Sequence, residues 1–302
     1  MNEPSGILIV DKHTGLTSHD IVGKVRRLYG TRRVGHTGTL DPDASGVLVV
    51  LIGRAAKAAE YLVADTKRYC ARLRLGLTTD TEDASGNILS ESDRIPNAKA
   101  VADACSHFVG NISQIPPMYS ALKKDGQKLC DLARRGIVVE REAREVTIHE
   151  LICTPTDTPN DYILDVFCSS GTYIRTLCAD IGAYLGCGGI MAELRRTEAG
   201  GFSIESAHTI SEIESLNEEE RLALLSPVEG LFDTLPRVCL SAFFERLCRS
   251  GCEIYQKKIG TTFDVGQRVR ICDSEGRFFA LGEVGEYGDG IAIKAIKTFE
   301  LK

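Results

Sequence analysis

One stretch of the chain concentrates side chains that can do chemistry: Val34-Gly35-His36-Thr37-Gly38-Thr39-Leu40-Asp41-Pro42-Asp43-Ala44-Ser45-Gly46-Val47-Leu48. It sets a histidine, an aspartate before a proline, three glycines and two threonines directly ahead of the aliphatic run Val47–Ile52. The ring of Pro42 holds Asp41 extended. A carboxylate on stiff backbone beside a buried strand can be aimed at one substrate atom, and polar loops seated on a rigid sheet frequently carry function. By residue type alone a second reading stays open, in which Asp41 caps a turn through an Asx hydrogen bond and the glycines only supply positive φ. Other chemistries lose support. The six histidines form no i, i+4 pair with a carboxylate partner, so no metal site is expected. Eleven cysteines include no Cys-x-x-Cys pair, which removes the zinc-ribbon and thioredoxin spacings. Most lie on apolar faces (Cys105, Cys168, Cys178) and are read as reduced, structural residues.

The elements that must position this loop follow from periodicity. Gly6–Val10 is a short apolar strand, and Thr17-Ser18 caps a helix that runs to about Tyr29 with Ile21, Val22, Val25 and Leu28 on one face. Residues 32–45 read as loop, and Val47–Ile52 as a strand buried on both faces. A short helix over Ala55–Val63 follows, then the alternating strand Lys67–Leu75 and a polar loop, Thr78–Gly86. Asn97–Val109 is amphipathic, with Val101, Cys105 and Phe108 aligned. Pro116-Pro117 excludes helix interior, and a helix is expected from about Gln127 to Arg135. Val146–Cys153 and Tyr162–Cys168 form a strand pair, and Thr172 caps a helix whose inner face is Ile174, Leu177, Cys178, Ile181 and Leu185. Residues 205–226 are helix or loop, and Pro227 to Pro236 reads as a domain boundary. Phe263–Ile271, Arg277–Val284 and Ile291–Thr298 are short strands of a small all-β module.

The chain has 302 residues, enough for one large domain and a small one or for two medium ones. With 43% hydrophobic and 26% charged residues it reads as soluble and globular, not as a mainly disordered chain. No apolar run approaches the ~18–20 residues of a membrane span. The first residues lack a basic region and a long apolar core, so a cytoplasmic protein without a secretory signal is expected. The net charge of −6 argues against a polyanion partner, but the charge is uneven. Residues 12–36 carry six basic side chains against Asp20, residues 121–144 seven against four acids, and residues 205–233 eight acids against Arg221. A basic face is therefore feasible, although on charge alone solvated helix faces are the stronger reading.

The full string His-x-Gly-Thr-Leu-Asp-Pro-x-Ala-x-Gly-Val-Leu, from His36 to Leu48, resembles the signature of the TruB family of pseudouridine synthases, which modify the TΨC loop of tRNA. Further segments agree in order. Asp11-Lys12 with Gly15-Leu16-Thr17-Ser18 resembles the family's N-terminal motif, with His13 where proline is usual, a departure that loosens a turn. Lys67-Arg68-Tyr69 resembles its second motif, and Thr79-Asp80-Thr81-x-Asp83-x-x-Gly86 the turn after it. Residues 115–123 resemble the family insertion, Ser170-Gly171-Thr172-Tyr173-Ile174-Arg175 its third motif, and Leu194-Arg195-Arg196-Thr197 with Gly200 and Phe202 the segment closing the pocket. The resemblance spans residues 6–202.

It implies an α+β pseudouridine synthase catalytic fold on a mixed, mainly antiparallel sheet flanked by helices, in residues 1–232 with the insertion at about 112–145. A small PUA-like β-barrel module is implied for 233–302, where the likeness rests on strand pattern and position. It implies Asp41 as the nucleophile for breaking the C1′–N1 bond of uridine and rejoining the base through C5. Attack at the sugar, attack at the base and proton abstraction from C2′ all remain open. Arg175 would pair with Asp41, lower its pKa and offer a bidentate clamp. Tyr69 would stack on the base and assist removal of the C5 proton. His36 would fill the space left by the flipped base, Leu194 would line the base pocket, and Tyr173 would support it. Lys12, Arg32, Arg33, Lys123, Lys124 and Lys128 are candidate phosphate contacts. No cofactor, metal, membrane or obligatory protein partner is implied, and a monomer acting on the TΨC stem-loop is expected. Two other readings stand beside this one: an RNA-binding tRNA chaperone, against which the carboxylate speaks, and a guide-RNA-dependent synthase subunit, against which the insertion and the short C-terminal module speak.

Overall fold

Two aliphatic strands frame the computed structural model, which describes residues 3–61, 66–120 and 122–299. After β1 (Gly6–Lys12) come α1 (Ser18–Leu28), β2 (Val34–His36) and β3 (Ala44–Ile52). β1 pairs antiparallel with residues 46–52 of β3 over its whole length. Their period-2 side chains bury both faces. Leu8, Val10, Leu48, Val50 and Ile52 pack on Ile21, Val22 and Val25 of α1, while Ile7, Ile9, Val47, Val49 and Leu51 pack on Ala55 and Ala199. The start of α1 is fixed by a reciprocal capping box: Thr17 Oγ1 accepts from the Asp20 N–H, and the Asp20 carboxylate accepts from the Thr17 N–H. The loop expected at 32–45 is shorter than that, because Val34 and His36 pair along the edge of β3 opposite Ile52 and Val50. Local polarity hid an edge strand that only tertiary pairing creates.

A 3-10 turn, Gly53–Tyr61, stands where a short helix was expected; the expected end at Val63 lies outside the described residues. It leads to β4 (Lys67–Leu75) and to a hairpin of β5 (Leu77–Thr79) and β6 (Ile88–Glu91), within and after the expected polar loop. α2 (Ala98–His107) is capped by Asn97 and followed by β7 (Gly110–Gln114). The Pro-Pro segment is irregular as expected, and its Ala121 lies outside the described residues. A two-strand ladder, β8 (Lys123–Lys124) with β9 (Gln127–Lys128), takes up residues assigned to a helix, which shrinks to α3 (Leu129–Ala133). β10 (Arg144–Pro155) and β11 (Asp161–Cys168) are the expected antiparallel pair. Helix α4 (Ile174–Tyr184) precedes β12 (Gly189–Ala199), β13 (Phe202–Ser203), β14 (His208–Thr209), α5 (Ile210–Ser215) and α6 (Glu218–Ala223). Thr172 does not cap α4: Tyr173 holds that position without a side-chain bond, and the Thr172 hydroxyl donates to the Ser169 carbonyl.

Among the described residues these strands make a ten-stranded sheet with main order β14-β1-β3-β12-β4-β11-β10-β7, mixed but mainly antiparallel. β12, absent from the periodicity reading, is its keystone, parallel to β3 and antiparallel to β4. One face of the β4–β11–β10 half is covered by α2 and α4. A second sheet, β15-β17-β18-β19-β16, follows, made of β15 (Arg237–Cys239), β16 (Ile254–Tyr255), β17 (Arg268–Cys272), β18 (Phe278–Tyr287) and β19 (Gly290–Thr298). It curls as a half-barrel around Val238, Val269, Ile271, Phe279 and Ile293, in keeping with a PUA-like module. It is not all-β: α7 (Ala242–Arg249) buries Cys248 against this core, and α8 (Gln256–Ile259) buries Gln256. The expected boundary at 227–236 is a packed bridge, in which the Phe232 ring meets those of Phe278 and Phe299 at a tilt, at centroid distances of 6.0 and 5.7 Å. All eleven cysteines are free, and burial pushes the Cys168 and Cys248 thiols up to about 11, which makes them unreactive packing groups.

The contact between β3 and β12 requires a glycine. Gly46 has φ +103, and a Cβ there would meet the Arg196 carbonyl oxygen at 2.1 Å. Strain and overpacking together should make Gly46→Ala cost about 2–5 kcal/mol in denaturant melts; a variant as stable as the parent would refute this close approach.

Candidate active site

The loop carrying Asp41 is immobilised from four sides. The Ser18 hydroxyl at the start of α1 donates to the Leu40 carbonyl and accepts from the Leu40 N–H, at 3.1 and 2.9 Å. The Gly15 N–H donates to the Pro42 carbonyl at 2.9 Å. Arg196 of β12, 1% exposed, donates to the carbonyls of Val47, Gly38 and Thr39 at 2.7, 3.0 and 3.5 Å. Lys12 of β1, fully buried, donates to the carbonyls of His13, Leu16 and Pro42 at 3.0, 2.7 and 3.1 Å. Lys12 is therefore no phosphate contact, since its ammonium is enclosed and committed to backbone oxygens. Nothing in its sequence position separated a buried cation from a surface one.

Held this way, Asp41 meets Arg175 of α4: Nη2 lies 3.1 Å from Oδ2, with the arginine side chain 6% exposed and the aspartate 45%. The guanidinium is not a bidentate clamp on Asp41. Its fork is shared. Nη1 lies 3.7 Å from Asp83 Oδ2 and donates to the Thr81 carbonyl at 3.4 Å, while Nη2 also donates to the Tyr119 carbonyl at 2.7 Å. Asp83 is a site residue that the sequence reading left inside a turn motif. Its Oδ1 accepts from the hydroxyls of Thr81 and Ser85, both at 2.6 Å, which leaves Oδ2 for Arg175.

The sharing changes the expected electrostatics. Arg175 pulls the Asp41 carboxyl down, but burial outweighs it and the Asp83 and Asp43 carboxylates add to the rise, so the pKa lies above the ordinary value. The expectation of a lowered pKa is corrected: desolvation of the carboxyl outweighs the pull of its one cation.

Around Asp41 is a cavity of about 250 Å³ lined by Gly38–Asp41, Lys67, Tyr69, Ser120, Gly171–Arg175, Leu194 and Arg196. Tyr69, 8% exposed, comes from β4 and Leu194 from β12. Tyr173 is set by Gln114, which accepts from its N–H at 3.0 Å and donates to its carbonyl at 3.2 Å. Gln114, 2% exposed, is a second residue that sequence reasoning missed; a polar side chain ending a polar strand gives no periodic signal. A larger hollow of about 370 Å³, at Arg74, Gly76, Glu91 and Asn160, sits at the opposite end of β4 and holds none of these groups.

His36 ends β2, just before the Asp41 loop and outside the cavity lining. Burial, then Arg196 and His19, lower its pKa, so the ring is neutral near pH 7, and its buried Nδ1 has no partner among the described residues. Lys123, Lys124 and Lys128 are exposed on the β8–β9 ladder that leaves the cavity wall at Ser120, with Lys124 donating to the Glu140 carbonyl at 2.7 Å. Arg32 and Arg33 are not brought to the cavity. They precede Val34, which pairs with Ile52 at the far end of β3, and Arg33 is ion-paired with Glu3 at 3.0 Å.

Comparison with known proteins accords with this geometry. Residues 26–174 match the family model described as TruB family pseudouridylate synthase (N terminal domain), and residues 175–233 match tRNA pseudouridylate synthase B C-terminal domain. The chain is 42% identical over 283 residues to a tRNA pseudouridine synthase B of Burkholderia mallei, covering 93% of each. The chain belongs to the TruB family. A second TruB relative, tRNA pseudouridine synthase B of Syntrophotalea carbinolica, is 50% identical over 222 residues, 73% of this chain and 72% of that one. The fold also matches a solved chain described as "Crystal Structure of a Cbf5-Nop10-Gar1 Complex", with TM-score 0.76, 26% identity, 98% of this chain and 85% of that one. Among the described residues no helix is long and apolar enough to cross a membrane, and no cluster of three metal-ligating side chains occurs.

Two outcomes test these electrostatics. Replacing Arg175 by Met strands the Asp41 and Asp83 carboxylates and two carbonyls, and should cost about 3–5 kcal/mol of stability in denaturant melts; an unchanged midpoint would contradict the shared pairing. Asp180, one turn beyond Thr176, is pushed up to about 6 by burial and by Glu82. A raised carboxyl favours folding below its ordinary pKa of 3.8 and loses that contribution as pH climbs through about 6. Asp180→Asn should therefore raise the Tm at pH 7 more than at pH 4, and an equal shift at both would overturn the assignment.

Proposed function

We propose that this chain is a tRNA pseudouridine synthase that converts the uridine at position 55 of the TΨC loop to pseudouridine. On this reading residues 1–232 carry the chemistry, the insertion at about 112–145 and the module 233–302 extend the RNA contact, and the enzyme works as a cytoplasmic monomer without cofactor, metal, guide RNA or obligatory protein partner. The observation that carries it is the Asp41 carboxylate, fixed by Arg175 at the edge of a cavity bounded by Tyr69 and Leu194.

The target base lies within a folded loop and must be everted, at a cost of a few kcal/mol. Tyr69 and Leu194 bracket the everted uracil. The neutral ring of His36 takes the vacated stacking space, a role its lowered pKa suits because no charge need be desolvated. Asp41 acts ionised, either as a nucleophile at the sugar or base or as the base at C2′. The C1′–N1 bond breaks, the uracil turns, C1′–C5 forms, the C5 proton leaves and N1 gains a proton. The reaction is an isomerisation and consumes nothing. The Tyr69 hydroxyl serves the departing C5 proton. Lys123, Lys124 and Lys128 meet phosphates of the stem-loop. The identity of 42–50% to proteins named tRNA pseudouridine synthase B supports this stand-alone reading over the guide-dependent one.

The test uses purified protein and one tRNA transcript with no other component. Pseudouridine should appear at the single TΨC position. Asp41→Asn should bind tRNA with near-parental affinity yet lose about 10³ or more in rate, about 4 kcal/mol of transition-state stabilisation. No product without added RNA or protein, or normal turnover by Asp41→Asn, would reject the reading.

A further inference from the structure

Glu82 stands immediately behind the pair assigned to the chemistry and has no part in the reading above. It adopts φ +63, a left-handed conformation that costs a non-glycine residue about 1 kcal/mol or more. Its side chain is well occupied there. Oε2 accepts from the Thr176 hydroxyl at 2.7 Å, and Thr176, 5% exposed, directly follows Arg175 in α4. Its backbone is docked too: the Glu82 carbonyl accepts from the Met191 N–H at 3.0 Å, and the Ala84 N–H donates to the Met191 carbonyl at 3.1 Å.

Arg175 is held by two segments, the 79–86 turn through Thr81 and Asp83 and the 115–120 segment through the Tyr119 carbonyl. A second arginine braces the second of these segments from outside. Arg141, in the irregular stretch between α3 and β10, donates to the Pro116 carbonyl at 3.0 Å, and its charge acts on the Glu82 carboxylate together with that of Arg175. Its Nε is buried without a partner among the described residues, so a donor is still available at this spot. The same stretch carries Ile137 and Val138 out into solvent, 44% and 77% exposed.

We propose that Glu82 is a positioning residue for Arg175, tied to it through Thr176, and that Arg141, bonded to Pro116 three residues before Tyr119, braces the other segment that holds the guanidinium, so that the seating of residues 134–143 sets the geometry of the Asp41–Arg175 pair. The proposal rests on the reading of Asp41 and Arg175 as the working pair. Glu82 touches no reacting atom. Replacing its carboxylate by an amide weakens the acceptor for the Thr176 hydroxyl and lets the 79–86 turn shift against α4, and small displacements of an aligned group slow the chemical step more than they weaken binding.

The experiment measures steady-state and single-turnover pseudouridine formation on a tRNA transcript by the full chain, its Glu82→Gln, Arg141→Met and Arg141→Lys variants, the Glu82→Gln/Arg141→Met double variant, and Asp41→Asn. Glu82→Gln and Arg141→Met should each lower kcat about tenfold with KM within about twofold, and the double variant should be no slower than the slower single one. Arg141→Lys should recover most of the loss. Parental kcat in either single variant, a loss carried by KM, or losses that multiply would overturn the proposal. Should Glu82→Gln fail to fold, Arg141→Met and Arg141→Lys decide it alone, since they change a half-buried side chain on an irregular segment. Normal turnover by Asp41→Asn would sink the underlying reading; an inactive Asp41→Asn beside fully active Glu82→Gln and Arg141→Met would sink only this one.

Discussion

A single buried guanidinium organises the working end of this molecule. Arg175 has five N–H donors and almost no solvent, so every donor left without an acceptor would carry a desolvation cost. Two carboxylates and two backbone carbonyls answer that demand, and they come from three places in the chain: the Asp41 loop, the 79–86 turn, and residues 115–120 within the insertion. Satisfying one cation thus brings remote segments to one point. The same sharing keeps Asp41 from being over-stabilised as an anion. A carboxylate that owned the whole fork would be a poorer nucleophile and a poorer base, whereas here burial and a neighbouring acid leave its proton affinity above the ordinary range.

Much of this was legible in the sequence wherever a residue's role coincides with a local pattern. Lys67–Leu75 alternates strictly and is β4, and the capping box at Thr17 starts α1 where expected. Asp41 stood out by residue type, the family resemblance added Tyr69, Arg175, Tyr173 and Leu194, and all five line one cavity. What stayed hidden depends on partners distant in the chain. β12 reads as a charged, bulged segment because its polar side chains find buried acceptors on β3, and β2 exists only by pairing along an edge. The helix over 127–135 contracted because its first residues close a ladder instead.

Charge was the least readable property. Six basic residues were grouped as phosphate contacts by type, yet they fall into three kinds. Lys123, Lys124 and Lys128 are exposed on the β8–β9 ladder, Arg32 and Arg33 lie at the far end of β3, and Lys12 is inside the protein. A sequence gives the sign of a charge, but the surrounding dielectric decides whether it can meet an anion.

Lys12 also shows that like charges are not interchangeable within a packed scaffold. Its ammonium is a compact head whose three hydrogens diverge, and three carbonyls from two separate loops converge on it. A guanidinium is flat and broader, so its hydrogens could not meet that trio without prising the loops apart. The swap usually regarded as mildest for a lysine would here act as a wedge beneath Pro42, displacing the neighbouring carboxylate without altering the net charge.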